Sequence, residues 1–267
     1  MRSVTFTADD FGLSEAVNEG VERAHRAGVL DAASLMVGAP AAADAVARAK
    51  RMPGLRVGLH LVAVEGPAVL PQAAIPALVG ADGWFPSDQG RLGVRFFFLP
   101  WVRRQLAREI RAQFEAFAAT GLTLAHADAH KHMHLHPTVG RLLVETGRAF
   151  GLRRVRVPAE PPAVMAGLGM PGGAALYRWS RLLRRQVRAA GMDAPDAVFG
   201  LAWSGGMTAA RVRRLLEVLP DGDVEIYFHP AARRDALLDR LMPGYDHEGE
   251  LAALLDPGVK ALLQAMR

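Results

Sequence analysis

The sequence predicts an α/β fold, a distorted TIM-like (β/α) barrel of about seven parallel strands that forms a single domain over residues 1–267. Strand-like and helix-like segments alternate along the whole chain. With 267 residues, of which 51% are hydrophobic, the chain is long enough to bury the core of one such domain. An open doubly wound sheet is the structural alternative, but the sequence lacks both a G-x-G-x-x-G turn and a P-loop.

The first unit begins at residues 3–8, where alternating β-branched and aromatic side chains predict a strand. The strand runs into two adjacent acids, Asp9 and Asp10, and then into Gly12. Ser14 follows at the N-cap position of a helix expected over residues 14–27. Acidic side chains are therefore expected where a strand ends.

The later units repeat this alternation. Further strands are expected at residues 33–37, 55–62, 123–129, 153–157, 197–202 and 223–228. Further helices are expected at residues 41–51, 100–120, 137–150, 174–190, 208–218 and 247–255. Gly28, Gly121, Gly151 and Gly191 stand just past helix ends, where a left-handed residue is needed, and Pro137 opens a helix at its first turn.

Two insertions interrupt the alternation, at residues 63–99 and 158–173. On the rim of a barrel, such insertions shape a substrate pocket or a lid.

The chain contains no cysteine, so any metal ligands must come from histidine, aspartate or glutamate. No apolar run is long enough to cross a bilayer, and the N-terminus leads directly into a strand. A cytoplasmic location is expected, with contact at the inner face of the membrane left open.

The net charge of +5 comes almost entirely from arginine, because the chain has only three lysines. Much of the arginine lies at residues 91–111 and 177–188, without the arrangement of a nucleic-acid surface, so no nucleic-acid partner is expected. Phe96, Phe97, Phe98 and Trp101 lie among these arginines. This mixture suits a membrane interface or the mouth of an apolar pocket, and the alternative is an ordinary helix whose aromatic face is core.

The segment from His126 to Pro137 contains five of the nine histidines and one carboxylate, Asp128. All six fall on even positions, so an extended chain would point them to one side. Imidazoles beside a carboxylate are good ligands for a divalent metal ion. The alternative is a solvated histidine tract that binds metal without chemistry.

Other predicted strands also end in polar residues. His60 lies on the strand at 55–62, and His229 follows the strand at 223–228. Because the carboxyl ends of barrel strands share one rim, we expect both to meet the acids and the histidine segment there. Taken alone, a histidine such as His60 on an apolar strand is more often a core residue bonded to a backbone carbonyl.

Four motifs carry a family resemblance: Thr7-Ala-Asp-Asp-Phe-Gly12, Val57-Gly-Leu-His60, the segment from His126 to Pro137, and Phe228-His-Pro230. Over essentially its whole length the chain resembles the YdjC/ChbG family of metal-dependent carbohydrate deacetylases. Gly200-Leu-Ala-Trp-Ser-Gly205, Glu225-Ile-Tyr-Phe-His-Pro230 and Met242-Pro-Gly-Tyr-Asp-His-Glu248 are similar to the branch encoded with hopanoid biosynthesis, often called HpnK.

The resemblance implies a seven-stranded distorted barrel, one divalent metal ion and hydrolysis of an N-acetyl group from an amino sugar. Asp10, His60 and His130 match the family's metal ligands, and the choice between Zn²⁺ and Mg²⁺ stays open. Asp9 would be the general base, and His229, expected across the rim from Asp9, would be the general acid. Ala127, Ala129 and Lys131 depart from the wider family, which puts substrate contacts in doubt more than the metal.

Four further residues are candidates for supporting roles. His132 and His134 would orient ligands or contact sugar hydroxyls, and Asp128 would fix the tautomer of an imidazole. Arg156 would anchor the substrate or the base carboxylate, with a structural salt bridge as the alternative. His136 is expected to cap the helix that begins at Pro137.

Three functions remain open. The first is a deacetylase acting on an N-acetylglucosaminyl headgroup of a hopanoid lipid, which would bring peripheral membrane contact. The second is a related hydrolase of soluble chitooligosaccharides or of another amide. The third is a non-catalytic metal-binding or membrane-associated accessory protein, although such a protein has no need of Asp9 and His229. The oligomeric state is not predicted.

Overall fold

A curled parallel β-sheet forms the centre of the computed structural model, which describes residues 2–266. Within these residues the sheet has six strands in the order β4-β3-β2-β1-β6-β5. They are β1 (Arg2–Phe11), β2 (Ala32–Leu35), β3 (Arg56–Leu61), β4 (Ala127–Ala129), β5 (Ala197–Phe199) and β6 (Gly222–Phe228). Every pair of neighbours is parallel, so the carboxyl ends of the strands lie at one edge. The predicted α/β class is confirmed, in the form of a half-barrel.

The prediction of a strand at residues 153–157 is wrong, because these residues do not form a β-ladder. Its residues make only isolated parallel bridges, Ala127 with Val155 and Arg154 with Asp193. Pro158 follows at once, and proline has no N–H with which to extend a ladder. The seven-stranded barrel is therefore only approximate, because residues 153–157 form bridges to their neighbours but do not pair along their length.

The helices in residues 2–266 are α1 (Glu15–Ala27), α2 (Ala42–Lys50), α3 (Gln89–Phe98), α4 (Pro100–Ala119), α5 (Pro137–Ala149), α6 (Pro162–Gly167), α7 (Ala174–Ala189), α8 (Ala209–Glu217), α9 (Ala236–Leu241), α10 (His247–Leu255) and α11 (Pro257–Met266). The predictions for α1, α2, α4, α5, α7, α8 and α10 are confirmed, and those for Ser14 and His136 as N-caps hold as well. Helices α3 and α6, inside the two predicted insertions, were not predicted, and neither were α9 and α11. None of the helices between residues 2 and 266 combines the length and apolar character needed to cross a membrane.

The two faces of the sheet differ in chemistry. On the outer face, apolar side chains pack against the helices, as where the rings of Phe6 and Phe228 stack with centroids 5.5 Å apart. The inner face carries buried polar groups, among them Thr7, Asp9 and Glu225. Alternation along each strand separates the two sets, and the polar set fills the hollow of the half-barrel.

Of the four glycines predicted to end helices in a left-handed conformation, one does not adopt it. Gly121, Gly151 and Gly191 have positive φ, as expected for a left-handed C-terminal residue. Gly28 has a φ of −108°, so its predicted left-handed conformation is wrong. A Cβ at this position would collide with the backbone carbonyl of Leu254, so the need for glycine comes from close packing against α10.

Candidate metal centre

Strand β1 delivers two carboxylates to the same place because its end is irregular. Its pairing with β2 shifts register between Ala8 and Phe11, and Asp10 has a φ of 61°. In a regular strand Asp9 and Asp10 would face opposite sides of the sheet. Here both side chains lie inside the half-barrel, with Asp9 against Arg156 and Asp10 against two imidazoles.

Asp10, His60 and His130 form a buried group that can hold a metal ion, with one ligand atom from each lying within 4.8 Å of the others. Oδ1 of Asp10 lies 3.3 Å from Nε2 of His60 and 3.1 Å from Nδ1 of His130. Oδ2 of Asp10 and Nε2 of His130 are buried without a hydrogen-bond partner in the part of the chain that the structure describes. Because unpaired buried polar atoms are costly, these lone pairs fit a bound cation.

A second group, Asp9, His60 and Asp128, meets the same distance criterion but suits a cation less well. The Arg156 guanidinium already lies between the two acids, 2.7 Å from Oδ2 of Asp9 and 2.8 Å from Oδ2 of Asp128. A fixed positive charge at that position repels a metal ion. Among the described residues, the ligand set expected from the sequence is therefore the better site.

His60 is held by a buried chain of hydrogen bonds. Its Nδ1–H donates to Oδ1 of Asp128 over 2.7 Å, which leaves Nε2 directed at Asp10. The Ser34 hydroxyl donates to Oδ2 of Asp128 over 2.7 Å and lies 3.0 Å from Nε2 of His126. A carboxylate that accepts from the far nitrogen of a ligand imidazole fixes both tautomer and orientation.

Electrostatics favour positive charge at this centre. Burial alone would lower the pKa of His60, but the carboxylates of Asp128, Asp9 and Asp10 raise it to about 10. Burial alone would raise the pKa of Asp10, yet the imidazoles of His130 and His60 hold it well below its usual range. The surrounding acids thus stabilise a cation where His60 and Asp10 meet.

Beyond His130, the histidine segment is not extended, so its later histidines do not share the single face that an extended chain would give them. Residues His130–Leu135 form a 3-10 turn in which Lys131 and His132 have φ of 50° and 54°. Nε2 of His132 lies 2.8 Å from the Tyr227 hydroxyl, and the Nε2–H of His134 donates to the Arg156 carbonyl over 2.9 Å. Burial holds the pKa of both imidazoles below the usual value, so both are neutral at pH 7.

His229 directly follows strand β6 in the chain, and in the fold it lies next to Asp9. Ala8 pairs with Phe228 in the sheet, so Asp9 and His229 are the next residues on two adjacent strands. An expectation that His229 lies across the rim from Asp9 is wrong, because β1 and β6 are direct neighbours. Within residues 2–266, Nδ1 of His229 is buried without a hydrogen-bond partner, and the ring lies edge-on to Tyr245 at 5.2 Å.

Sequence reasoning missed Glu250, which holds the backbone of this histidine. Its carboxylate accepts the His229 N–H over 2.5 Å and the Met207 N–H over 3.1 Å. Burial raises the pKa of Glu250. The Nδ1–H of His247 donates to the His229 carbonyl over 2.7 Å, so helix α10 fixes His229 from two sides.

Glu225 and Tyr227 were also missed, although the sequence carried a signal for them. They alternate with His229 along β6, and alternating residues share one face of a strand. Glu225 accepts from Nε of Arg156 over 2.8 Å, and the Arg156 guanidinium lies 4.8 Å from the centroid of the Tyr227 ring. Arg156 is thus enclosed by three acids and one aromatic ring.

The aromatic segment near residue 96 divides between core and surface. Phe96 is fully buried, whereas Phe97 and Phe98 on α3 are 50% and 68% exposed and Trp101 on α4 is 52% exposed. Trp179 on α7 is 49% exposed. Phe97, Phe98 and Trp179 line one cavity together with residues of the histidine turn.

The half-barrel gathers one carboxylate and two imidazoles at the carboxyl ends of its strands, where they could hold a metal ion. The chain belongs to the YdjC-like protein family, whose model matches residues 3–265.

Known proteins similar to the chain include the carbohydrate deacetylase of Geobacillus stearothermophilus, which is 32% identical over 256 residues, covering 95% of this chain and 89% of that protein. The carbohydrate deacetylase of Brevibacillus brevis strain 47 is 38% identical over 155 residues, which are 58% of this chain and 57% of that relative. A crystal structure of an Enterococcus faecalis V583 protein named for cellobiose-phosphate cleavage matches 99% of this chain and 94% of its own, with a TM-score of 0.77 and 23% identity. That structural match supports the fold.

Proposed function

We propose that the protein is a metal-dependent N-deacetylase that hydrolyses the acetamide of an amino sugar. The observation that carries the proposal is the buried group of Asp10, His60 and His130 beside a carboxylate, Asp9, with a separate partner. Two relatives named carbohydrate deacetylase support the substrate class. A protein that only stores metal would require Asp10, His60 and His130 but not Asp9.

Asp10, His60 and His130 are the residues that would hold the ion, and their unpartnered buried atoms fit it. A divalent cation bound there would polarise the acetyl carbonyl and lower the pKa of a water molecule. One carboxylate and two imidazoles accept either Zn²⁺ or Mg²⁺, so metal analysis of the purified protein decides between them.

Asp9 is the proposed general base. Both of its oxygens accept hydrogen bonds from Arg156, over 2.7 and 2.8 Å, and each oxygen retains a lone pair for the proton of the attacking water. In this proposal Arg156 positions the base and does not contact the substrate, because its side chain is fully buried. The bidentate contact fixes the direction in which Asp9 accepts the proton.

His229 is the proposed general acid. As water oxygen bonds to the carbonyl carbon and the C–N bond breaks, the imidazole donates a proton to the departing nitrogen. The products are acetate and a free amine. Glu250 and His247 position His229 through its backbone, while Asp128 positions His60. His132 and His134 line the hollow as neutral imidazoles that hold Tyr227 and the Arg156 carbonyl in place.

The proposed substrate is an N-acetylglucosaminyl headgroup on a hopanoid lipid, reached by peripheral contact with the membrane. The motifs at Gly200–Gly205 and Met242–Glu248, similar to the hopanoid-associated branch, support this choice. The exposed aromatic side chains near residue 98 are consistent with it.

Acetate release tests both parts of the proposal. The protein, stripped of metal and then supplied with Zn²⁺ or Mg²⁺, is assayed on N-acetylglucosaminyl hopanoid and on N,N′-diacetylchitobiose. We expect release from the hopanoid only when metal is present. Release from chitobiose alone would move the substrate to chitooligosaccharides, and no release from either compound under any metal would contradict the deacetylase proposal.

A further inference from the structure

A cavity of about 560 Å³ opens beside the proposed catalytic site, within the range of roughly 300–1,000 Å³ that is usual for small-molecule sites. We call it the aromatic groove. Its walls are α3, with Phe97, and α7, with Trp179. Its floor is the turn from Lys131 to His136.

The side chains that form the walls leave apolar surface exposed. Phe96 carries the core contact of α3, which leaves Phe97 half exposed. The Phe97 ring packs edge-on against the rings of Phe98 and His136. The indole N–H of Trp179 donates to the Leu135 carbonyl over 2.8 Å, so the ring is fixed in place. Exposed aromatic side chains facing one cleft usually mark a binding site.

The floor connects the groove to the catalytic hollow. Lys131 and His132 line the groove and directly follow His130, a proposed metal ligand. His132 also contacts Tyr227, whose ring faces Arg156. A sugar whose acetamide lies at His130 therefore has the groove next to its other substituents.

The chemistry of the lining favours a neutral apolar occupant. Among residues 2–266, those lining the groove include no aspartate or glutamate. The Lys131 ammonium is already paired with Glu65. Residues of α3, of α7 and of the turn from Lys131 to His136 line the groove together, so one bound molecule can contact all three.

From these observations we infer that the aromatic groove is the aglycone subsite, which binds the apolar group attached to the sugar. This inference rests on the proposed deacetylase function. It adds that selection for the apolar aglycone is made by Phe97 and Trp179, through contact with a single substrate molecule.

The test compares methyl and octyl 2-acetamido-2-deoxy-β-D-glucopyranoside, with the octyl compound kept below its micellar concentration. Burial of the additional methylenes is favourable, so we expect kcat/KM to be at least about tenfold higher for the octyl compound. Phe97→Ser and Trp179→Ser should each reduce this octyl-to-methyl ratio about tenfold. Val218→Ser, which changes an exposed apolar residue just after α8, is the matched control and should leave the ratio unchanged.

Calorimetric binding separates failure of the inference from failure of the proposed function. Octyl glycoside that binds through Phe97 and Trp179 without any acetate release would support the groove and contradict the deacetylase. Acetate release at equal kcat/KM from both glycosides would support the deacetylase and overturn the inference. If the two variants lost binding to phosphatidylglycerol vesicles but kept the octyl-to-methyl ratio, the surface would be a membrane contact and the inference would be wrong.

Discussion

Asp9 and Asp10 follow each other in the chain, yet their carboxylates have different partners. Asp9 is paired with Arg156, whereas Asp10 lies against His60 and His130. The left-handed conformation of Asp10 makes this possible, and a non-glycine residue in that region costs free energy that the surrounding contacts must offset. Strain at this position, beside a group of possible ligands, is consistent with a functional role.

Because Asp9 and Asp10 have different partners, we expect their variants to differ in metal content and activity. Asp9→Asn should retain bound metal but lose activity by about 10²–10⁴-fold, because the amide cannot act as the base. Asp10→Asn should lose both metal and activity. Metal is measured by elemental analysis after gel filtration, and activity by acetate release. A metal-free Asp9→Asn protein would show that base and ligand are wrongly assigned.

The imidazoles of the proposed site are tested by metal content alone. His60→Ala or His130→Ala removes one of three ligands, so bound metal should fall sharply while the circular dichroism spectrum is retained. His25→Ala is the control, because His25 bonds the Leu30 carbonyl at the end of α1. Full metal content in both site variants would refute the ligand assignment.

Glu250→Gln tests the support of His229. Each carboxylate oxygen of Glu250 accepts a backbone N–H, and an amide has only one oxygen, so one buried N–H loses its partner. We expect the free energy of unfolding to fall by about 1–3 kcal/mol and kcat to fall more than KM rises. The exposed acid Glu248 provides the control Glu248→Gln. Equal urea midpoints for the two variants would contradict the prediction.

The sequence identified residues whose side-chain type and clustering indicate a reactive site. It did not identify residues whose role depends on contacts formed in the fold. Adjacent acids, clustered histidines and a histidine before proline stand out in any sequence. Glu225 and Glu250 do not, since each lies in an ordinary strand or helix that contains a second acid, Asp223 or Glu248. Their importance comes from burial beside Arg156 and the His229 backbone, which only the folded chain creates.

At the scale of single elements, the histidine segment shows where local pattern fails. The predicted strand at 123–129 ends where β4 ends, at Ala129, but the shared face that an extended chain would give the histidines up to His136 is absent because the chain coils there. No glycine or proline marks the turn at Lys131 and His132, so tertiary contacts of His132 and His134 impose it. Helix α3 was missed for a related reason, because Gly90 and Gly93 weaken its helical signal.

Strand β3 provides an element-scale prediction at Gly58. A Cβ there would stand 2.5 Å from the buried His126 ring, which is bonded to Ser34. Gly58→Ala should therefore lower the free energy of unfolding by about 1–3 kcal/mol and disturb the support of His60.

Urea denaturation of wild type and variant measures the effect. Gly167→Ala is the control, because a Cβ at this position in α6 meets open space and should be neutral or slightly stabilising. A Gly58→Ala protein as stable as wild type would show that the His126 ring can move aside.

Across the whole molecule, charge is unevenly distributed. The chain carries a net charge of +5, yet the hollow of the half-barrel encloses the acids Asp9, Asp10, Asp128 and Glu225 around one guanidinium, Arg156. Excess positive charge therefore lies outside the hollow. The fold class could be predicted from alternation and length, whereas the incomplete closure at residues 153–157 depends on pairing that no local pattern specifies.

The outer surface carries the last prediction, peripheral binding to anionic membranes. Phe98 and Trp101 protrude at the junction of α3 and α4, and Arg95 and Arg103 lie close by in the sequence. Apolar side chains that enter the interface and arginines that meet anionic lipid act together. Because exposed charges are screened within about 10 Å at 0.1 M salt, binding should weaken as salt rises.

Co-sedimentation with phosphatidylglycerol liposomes measures this contact. Trp101→Ser should pellet less than wild type at low salt, because Trp101 is exposed and lies outside the aromatic groove, so the aglycone subsite is left intact. Val218→Ser, just after α8, should pellet as wild type does. A folded protein that stays in the supernatant at low salt, or a Trp101→Ser variant that pellets fully, would remove the membrane contact. Neither result would alter the expected metal content or the octyl-to-methyl ratio, since those depend on the hollow and the groove.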